Sequence, residues 1–221
     1  MVQLLVTTCF VILNVISSEF SKFQDAHFEV FIICLIVSLV TLIILCSFFL
    51  NLGCSPELCK SYPTNMILLG IFTLAESYMV SDICGFYTAE SILQAAVATA
   101  GATFGLTVFA WTTKYDFTEW VHFFYGKTFL IIGFCWCFVM IIVWIVFLNL
   151  FFLTGSSLLL SVYCTVFAVI YSIYILIDTQ LIMGGKRYEL SLDNYVFGAV
   201  MLYIDIIGLF LKLLRLLGER R

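Results

Sequence analysis

Apolar residues in this 221-residue chain collect into long runs separated by short polar stretches. Most runs hold about 20 residues, the length an α-helix needs to cross the roughly 30 Å hydrocarbon core of a bilayer. The pattern predicts seven helices, at about 3–17, 29–52, 65–87, 91–111, 128–152, 157–183 and 195–217. Helix breakers fall at or just beyond their ends: Asn51, Gly53 and Pro56, then Pro63, Gly85, the pair Gly184 and Gly185, and finally Gly218. The first run is short for a full span. No charged segment precedes it and no small-residue cleavage site follows, so it reads as a helix shortened at its start rather than a cleaved signal peptide. The fourth run carries Ala95, Ala96, Ala98, Ala100, Gly101, Ala102 and Gly105, small side chains that permit close helix contact. Short loops make sequence neighbours antiparallel. The expected architecture is an all-α membrane protein, one transmembrane domain over residues 1–221.

Composition agrees with a lipid solvent. Hydrophobic residues make up 63% of the chain and charged residues 11%, against about 25% charged in soluble domains. The lipid bilayer is therefore the first partner. A net charge of −4 leaves no basic face for nucleic acid. Of nine cysteines, Cys34, Cys46, Cys135, Cys137 and Cys164 lie inside apolar runs and read as small buried residues. Cys54 and Cys59 share a loop, where a metal site, a disulfide, free thiols and lipidation all remain open. With Met1 cytoplasmic, the cytoplasmic loops hold Lys60, Lys114, Lys127, Lys186 and Arg187, and the other side holds Lys22, Arg220 and Arg221. The positive-inside rule leans that way. Counting Lys212 and Arg215 makes it a tie.

The candidate chemistry is acidic. An ionised carboxylate at mid-bilayer costs at least about 2.5–3.5 kcal/mol, so a buried acid needs a reason. Asp178 lies near the end of the sixth run and Asp205 about three turns inside the seventh. In consecutive antiparallel helices the two can face each other, although counting from the helix ends leaves them about a turn apart in depth. If they meet, both cannot ionise cheaply, and they share a proton. With the proton, a carboxyl–carboxylate hydrogen bond ties the two helices. Without it, like charges repel, and the gap suits a hard cation such as calcium. The alternative is that each acid serves a local polar network.

Glu76, inside the third run, is a secondary polar candidate, either a second point on an ion path or an interhelical hydrogen-bond partner. Asp82 lies nearer the surface and reads as interfacial. Glu29 opens the second helix, where an acid suits the helix dipole. Trp111, Trp120 and Tyr125 flank helix ends as interfacial anchors. His27 and His122 fall in loops without metal-ligand spacing. No nucleophile elbow, metalloprotease, phosphate-loop or dinucleotide motif is present, so the sequence predicts neither an enzyme nor a cofactor.

Four segments are similar to a known family. They are QLLVTT (3–8), YPTNMILLGIFTLAESYMV (62–80), LTVFAWTTKYDFT (106–118) and the long stretch IYILIDTQLIMGGKRYELSLDNYVFGAVMLYIDIIGLFLKLLRLLG (173–218). They resemble the transmembrane Bax inhibitor motif family, and its Lifeguard branch with the Golgi anti-apoptotic proteins. The resemblance implies a seven-helix bundle in which the seventh helix is central. It implies a pH-sensitive calcium leak channel of Golgi or endoplasmic reticulum membranes, with calcium and protons as its ions, that lowers store calcium and inhibits apoptosis. The family's aspartate pair corresponds to Asp178 and Asp205, and these also become the transient calcium ligands. Bacterial relatives add an arginine at the end of helix two, and here only Lys60 stands in that stretch. The family's basic segment before QLLVTT has no counterpart in this sequence. Two other readings are a non-conducting regulator that binds membrane proteins of the cell-death machinery and a proton-coupled carrier.

Overall fold

In the computed structural model, residues 1–49, 62–118, 157–185 and 195–220 are described here, without the side chains of 46–49 and 157. Seven helices lie within them: α1 (Val2–Ile16), α2 (Ser18–Ala26), α3 (Phe28–Phe49), α4 (Thr64–Gly85), α5 (Ala89–Thr112), α6 (Ser157–Met183) and α7 (Tyr195–Leu217). The expected helix at 128–152 lies outside the described residues, as do Cys54, Cys59, Lys60, Trp120, His122 and Tyr125.

Five helices, α3 to α7, are long and apolar enough to cross a membrane. The start of the chain departs from expectation. Residues 18–26, read as part of a loop, form α2, and α1 and α2 meet at 98°. Counted as one broken span, the pair raises the number of described spans to six. Ser17 makes the corner. Its extended backbone (φ −95°, ψ 105°) ends α1, and its Oγ accepts the Phe20 N–H at 3.3 Å, capping α2. Asn14 donates to Gln24 Oε1 across the bend. Gln24 Nε2 in turn donates to Ser81 Oγ at 2.9 Å and to the Tyr78 carbonyl at 3.3 Å. A hydropathy scan misses α2 because its nine residues, SEFSKFQDA, are mostly polar. Gln24→Ala should release α2 from α4, and limited trypsin digestion should then cut faster at Lys22. An unchanged cleavage rate would mean the corner is held without Gln24.

Named contacts fix the helix directions. Gln3 meets Thr73 (3.1 Å) and Thr7 meets Ser77 (3.0 Å), so α1 and α4 run parallel. Asn65 donates to Tyr195 Oη (3.0 Å), and Phe72 sits edge-on to Tyr203, so α7 runs parallel to both. Lys212 of α7 lies over the ring of Tyr163, near the start of α6, so those two are antiparallel. One face of the bundle therefore collects the starts of α1, α4 and α7 and the ends of α3, α5 and α6.

The core is built around Phe72, Val80 and Cys84 of α4 with Val200, Tyr203 and Leu214 of α7, joined by Ala95 of α5, Val11 of α1 and Leu45 of α3. Helices α4 and α7 are the most buried spans, and α7 packs on α6, α5 and α4 and touches α3. Lipid-type surface covers α3, where Ile33, Ile36, Leu39 and Ile43 are all exposed. Among the described residues, the small-residue face of α5 is used less than its composition suggests. Ala95 is fully buried, whereas a Cβ on Gly101 or Gly105 meets no described atom within 4 Å. Among the described cysteines, Cys84 and Cys164 are buried, Cys34 is half-buried rather than buried, and Cys9 is exposed; all four are free.

Candidate functional site: a facing aspartate pair

Helix α6 brings Asp178 against α7, and α7 brings Asp205 against α6, close enough for the two carboxyl groups to share a hydrogen bond once one of them is protonated. Their exposures are 4% and 8%. Tyr174 of α6 lies in electrostatic range of both, and Tyr171 in range of Asp205. Neither carboxyl is countered by a cation among the described residues. Asp178 Oδ2 is buried with no hydrogen-bond partner. An ionised carboxylate oxygen in that position would be left without donors in low dielectric.

The expected difference in depth has a structural resolution. Asp178 lies five residues before the end of α6 at Met183, and Asp205 ten residues after the start of α7 at Tyr195. The pairing thus sets the end of α6 about five residues deeper than the start of α7, or about 7.5 Å at 1.5 Å per residue. Two glycines allow this early stop. Gly184 and Gly185 both take positive φ (69° and 74°), which turns the chain out of the helix.

Glu76 does not join the pair. It is half-buried on α4 and accepts a hydrogen bond from Ser38 Oγ of α3. Its electrostatic neighbour on α7 is Tyr203, two residues before Asp205 and so about 200° around the helix. The two acidic loci lie on opposite faces of α7. Asp82 sits in electrostatic range of Asp25 at the α2 end of the bundle. Glu29 is exposed in the first turn of α3. Trp111, at the end of α5, is 75% exposed.

Uncharged polar residues, which drew no attention in the sequence, join these acids to the bundle. Tyr203 Oη shares a hydrogen bond with Thr7 Oγ1 (2.8 Å), and Thr7 shares another with Ser77 (3.0 Å). All three are buried. Gln180, two residues after Asp178, is 1% exposed and holds the chain just beyond α5. The available signal was a glutamine, a tyrosine and hydroxyls set in apolar runs at positions that face other helices.

Over residues 1–221 the chain matches the family described as inhibitor of apoptosis-promoting Bax1. The chain belongs to this family. It is similar to protein lifeguard 3 of Mus musculus, with 28% identity over 221 residues, 99% of this chain and 66% of the mouse protein. The Homo sapiens protein lifeguard 3 gives 28% over 221 residues, covering 99% of this chain and 65% of that protein. Protein LIFEGUARD 4 of Arabidopsis thaliana is 35% identical over 158 residues, 70% of this chain and 58% of the plant protein. The chain thus spans just under two thirds of the lifeguard 3 proteins it matches. Family membership and five apolar spans make it an integral membrane protein.

In this Bax1-inhibitor family member the Tyr203–Thr7–Ser77 group should contribute to stability. Tyr203→Phe keeps the ring and strips one hydroxyl, leaving buried Thr7 with one partner fewer. A loss of about 1–2 kcal/mol is expected. In nanodiscs that should lower the midpoint of thermal unfolding by a few degrees, at about 2–4 °C per kcal/mol. No change would mean the hydroxyl group contributes nothing net.

Proposed function

We propose that the protein is a slow, pH-sensitive calcium leak channel of intracellular membranes, Golgi or endoplasmic reticulum, that lowers store calcium and so restrains apoptosis. The observation that carries this reading is the facing of Asp178 and Asp205, buried, within reach of each other and without a counter-cation among the described residues. A shared proton holds α6 to α7. Loss of that proton puts two negative charges together in low dielectric and drives the helices apart. The opened carboxylates then offer oxygen ligands to a passing calcium ion. A path whose buried acids among the described residues are Asp178 and Asp205 favours slow conduction.

The experiment is reconstitution of the chain into liposomes that enclose a calcium dye. Calcium entry above that of protein-free liposomes, rising with pH, is the expected result. Absence of entry at every pH would remove the leak reading.

The family description, which names Bax1, favours a second reading. In it the protein is a non-conducting regulator that meets cell-death proteins through its helices. That reading expects protection of cells to survive loss of both aspartates, whereas the leak reading expects protection to fall with them.

A further inference from the structure

A second hold on α6 lies directly beside the aspartate pair. Residues Asp178 and Gln180 are two apart, so their side chains leave α6 about 200° from one another. Asp178 faces α7, and Gln180 faces the end of α5 and the turn that follows it. The amide of Gln180 makes three contacts there. Its Oε1 accepts the Phe117 N–H at 2.9 Å, and its Nε2 donates to the carbonyls of Tyr115 at 3.1 Å and Ala110 at 3.4 Å. One N–H and two carbonyls leave a single orientation for the amide. The side chain thus stands in for a strand partner to the backbone of 115–117.

The turn is stiff in its own right. Asp116 Oδ1 accepts from the backbone N–H and the hydroxyl of Thr118, and Thr118 is fully buried. Phe117 packs on Tyr115 and Phe109, with ring centroids 4.7 and 6.2 Å apart. Residues 113–118 therefore form a strap, preshaped by Asp116 and its aromatics and fastened to α6 through the buried Gln180.

Polar ties elsewhere show what the strap does mechanically. Thr7, Ser77 and Asn65 bind α7 to α1 and α4. Gln180 binds α6 to α5 and the strap. The pair Asp178–Asp205 bridges the two groups at the strap end of the bundle. We propose that Gln180 couples the strap to the aspartate pair, so that the strap loosens when the pair separates and the pair loosens when the strap is freed. This builds on the reading of the pair as a latch, but the test below reads the coupling without reading flux.

The test is amide hydrogen exchange on the full chain in nanodiscs, followed in segment 113–118 and in the α6 segment around Asp178. Three forms are compared: wild type, Gln180→Met and Asp205→Leu. Methionine keeps the length of the side chain and removes its hydrogen bonds. Leucine removes the partner of Asp178 and leaves in place the described hydrogen bonds of the strap. Exchange in 113–118 should accelerate at least about tenfold in Gln180→Met, with faster exchange near Asp178 as well. It should also accelerate in Asp205→Leu, because coupling is reciprocal. Segment 72–80 of α4 should stay at its wild-type rate in both variants, which separates coupling from general unfolding.

Wild-type exchange in 113–118 of Asp205→Leu would overturn the proposal and reduce Gln180 to a local fastening. Wild-type exchange there in Gln180→Met would overturn the strap itself. General acceleration that reaches 72–80 in both variants would also count against it, since the two holds would then be parts of one undivided core. A chain that leaks no calcium but shows the coupled exchange would sink the channel reading and leave the strap standing.

Discussion

Asp205→Asn abolishes the pH dependence of calcium flux and holds it at the low level the wild type shows in acid. The reasoning starts from charge. Two carboxylates about 4 Å apart repel by about 4 kcal/mol at an effective dielectric of 20, which corresponds to roughly a thousandfold in an equilibrium constant. This is an upper bound on the wild-type response, because water entering the gap screens the charges as it opens. The sign follows from which form is tied. The proton that closes the pair is present at low pH and is lost as pH rises, so the closed state weakens and flux climbs. Asparagine changes this in one respect. Its amide N–H donates to the Asp178 carboxylate whether or not a proton is available, so the tie persists at every pH. Asp178→Asn should behave alike, since each carboxyl is the other's partner. Liposome flux from pH 5 to 8 checks both. A variant whose flux still rises with pH like the wild type would place the titrating group elsewhere.

The second large effect comes from Gly208. It lies three residues after Asp205, on the face that meets α6. A Cβ built there falls 2.5 Å from both Cε1 and Cζ of Tyr171. The ring must swing away or the helices must part, and Tyr171 is within electrostatic range of Asp205. Overpacking of this kind costs about 1–3 kcal/mol. Gly208→Val should therefore lower the unfolding midpoint by several degrees and raise flux in acid, because the closed contact is wedged open beside the pair. Gly101→Ala is the comparison, since its Cβ meets no described atom within 4 Å and it gains helix propensity. It should leave both quantities nearly unchanged. Equal effects from the two substitutions would show that close approach at Gly208 is unimportant.

Much of the frame was legible because lipid leaves a simple signature. An apolar run of about 20 residues has few ways to sit in a protein, and α3 to α7 fall close to the expected limits. The corner between α1 and α2 was not legible. It depends on Ser17 as a cap and on Gln24 reaching Ser81, contacts between segments that hydropathy does not register. Among the described residues, α5 packs less closely than its composition suggested, because small residues permit close approach without enforcing it.

The same division runs through the candidate site. Asp178 and Asp205 stood out since an acid in an apolar helix is costly, yet helix counting placed them at different depths. Counting assumed that both helices end at one level, and the glycine stop after Met183 sets α6 deeper. Gln180 carried no charge to mark it. Its role emerged only once the turn after α5 was seen against α6. Glu76 stood out for the same reason as the aspartates, but its neighbour on α7 is Tyr203, on the face away from Asp205.

The central claim is that Asp178 and Asp205 close on a shared proton and part when it leaves. Structures of the wild-type chain in nanodiscs at pH 5 and pH 8 test it most directly, through the separation of the two carboxyl groups. The account predicts hydrogen-bonded carboxyls at pH 5 and a gap of several ångströms at pH 8, with the ends of α6 and α7 apart. The same short separation at both values, in a protein whose calcium flux differs between them, would contradict it.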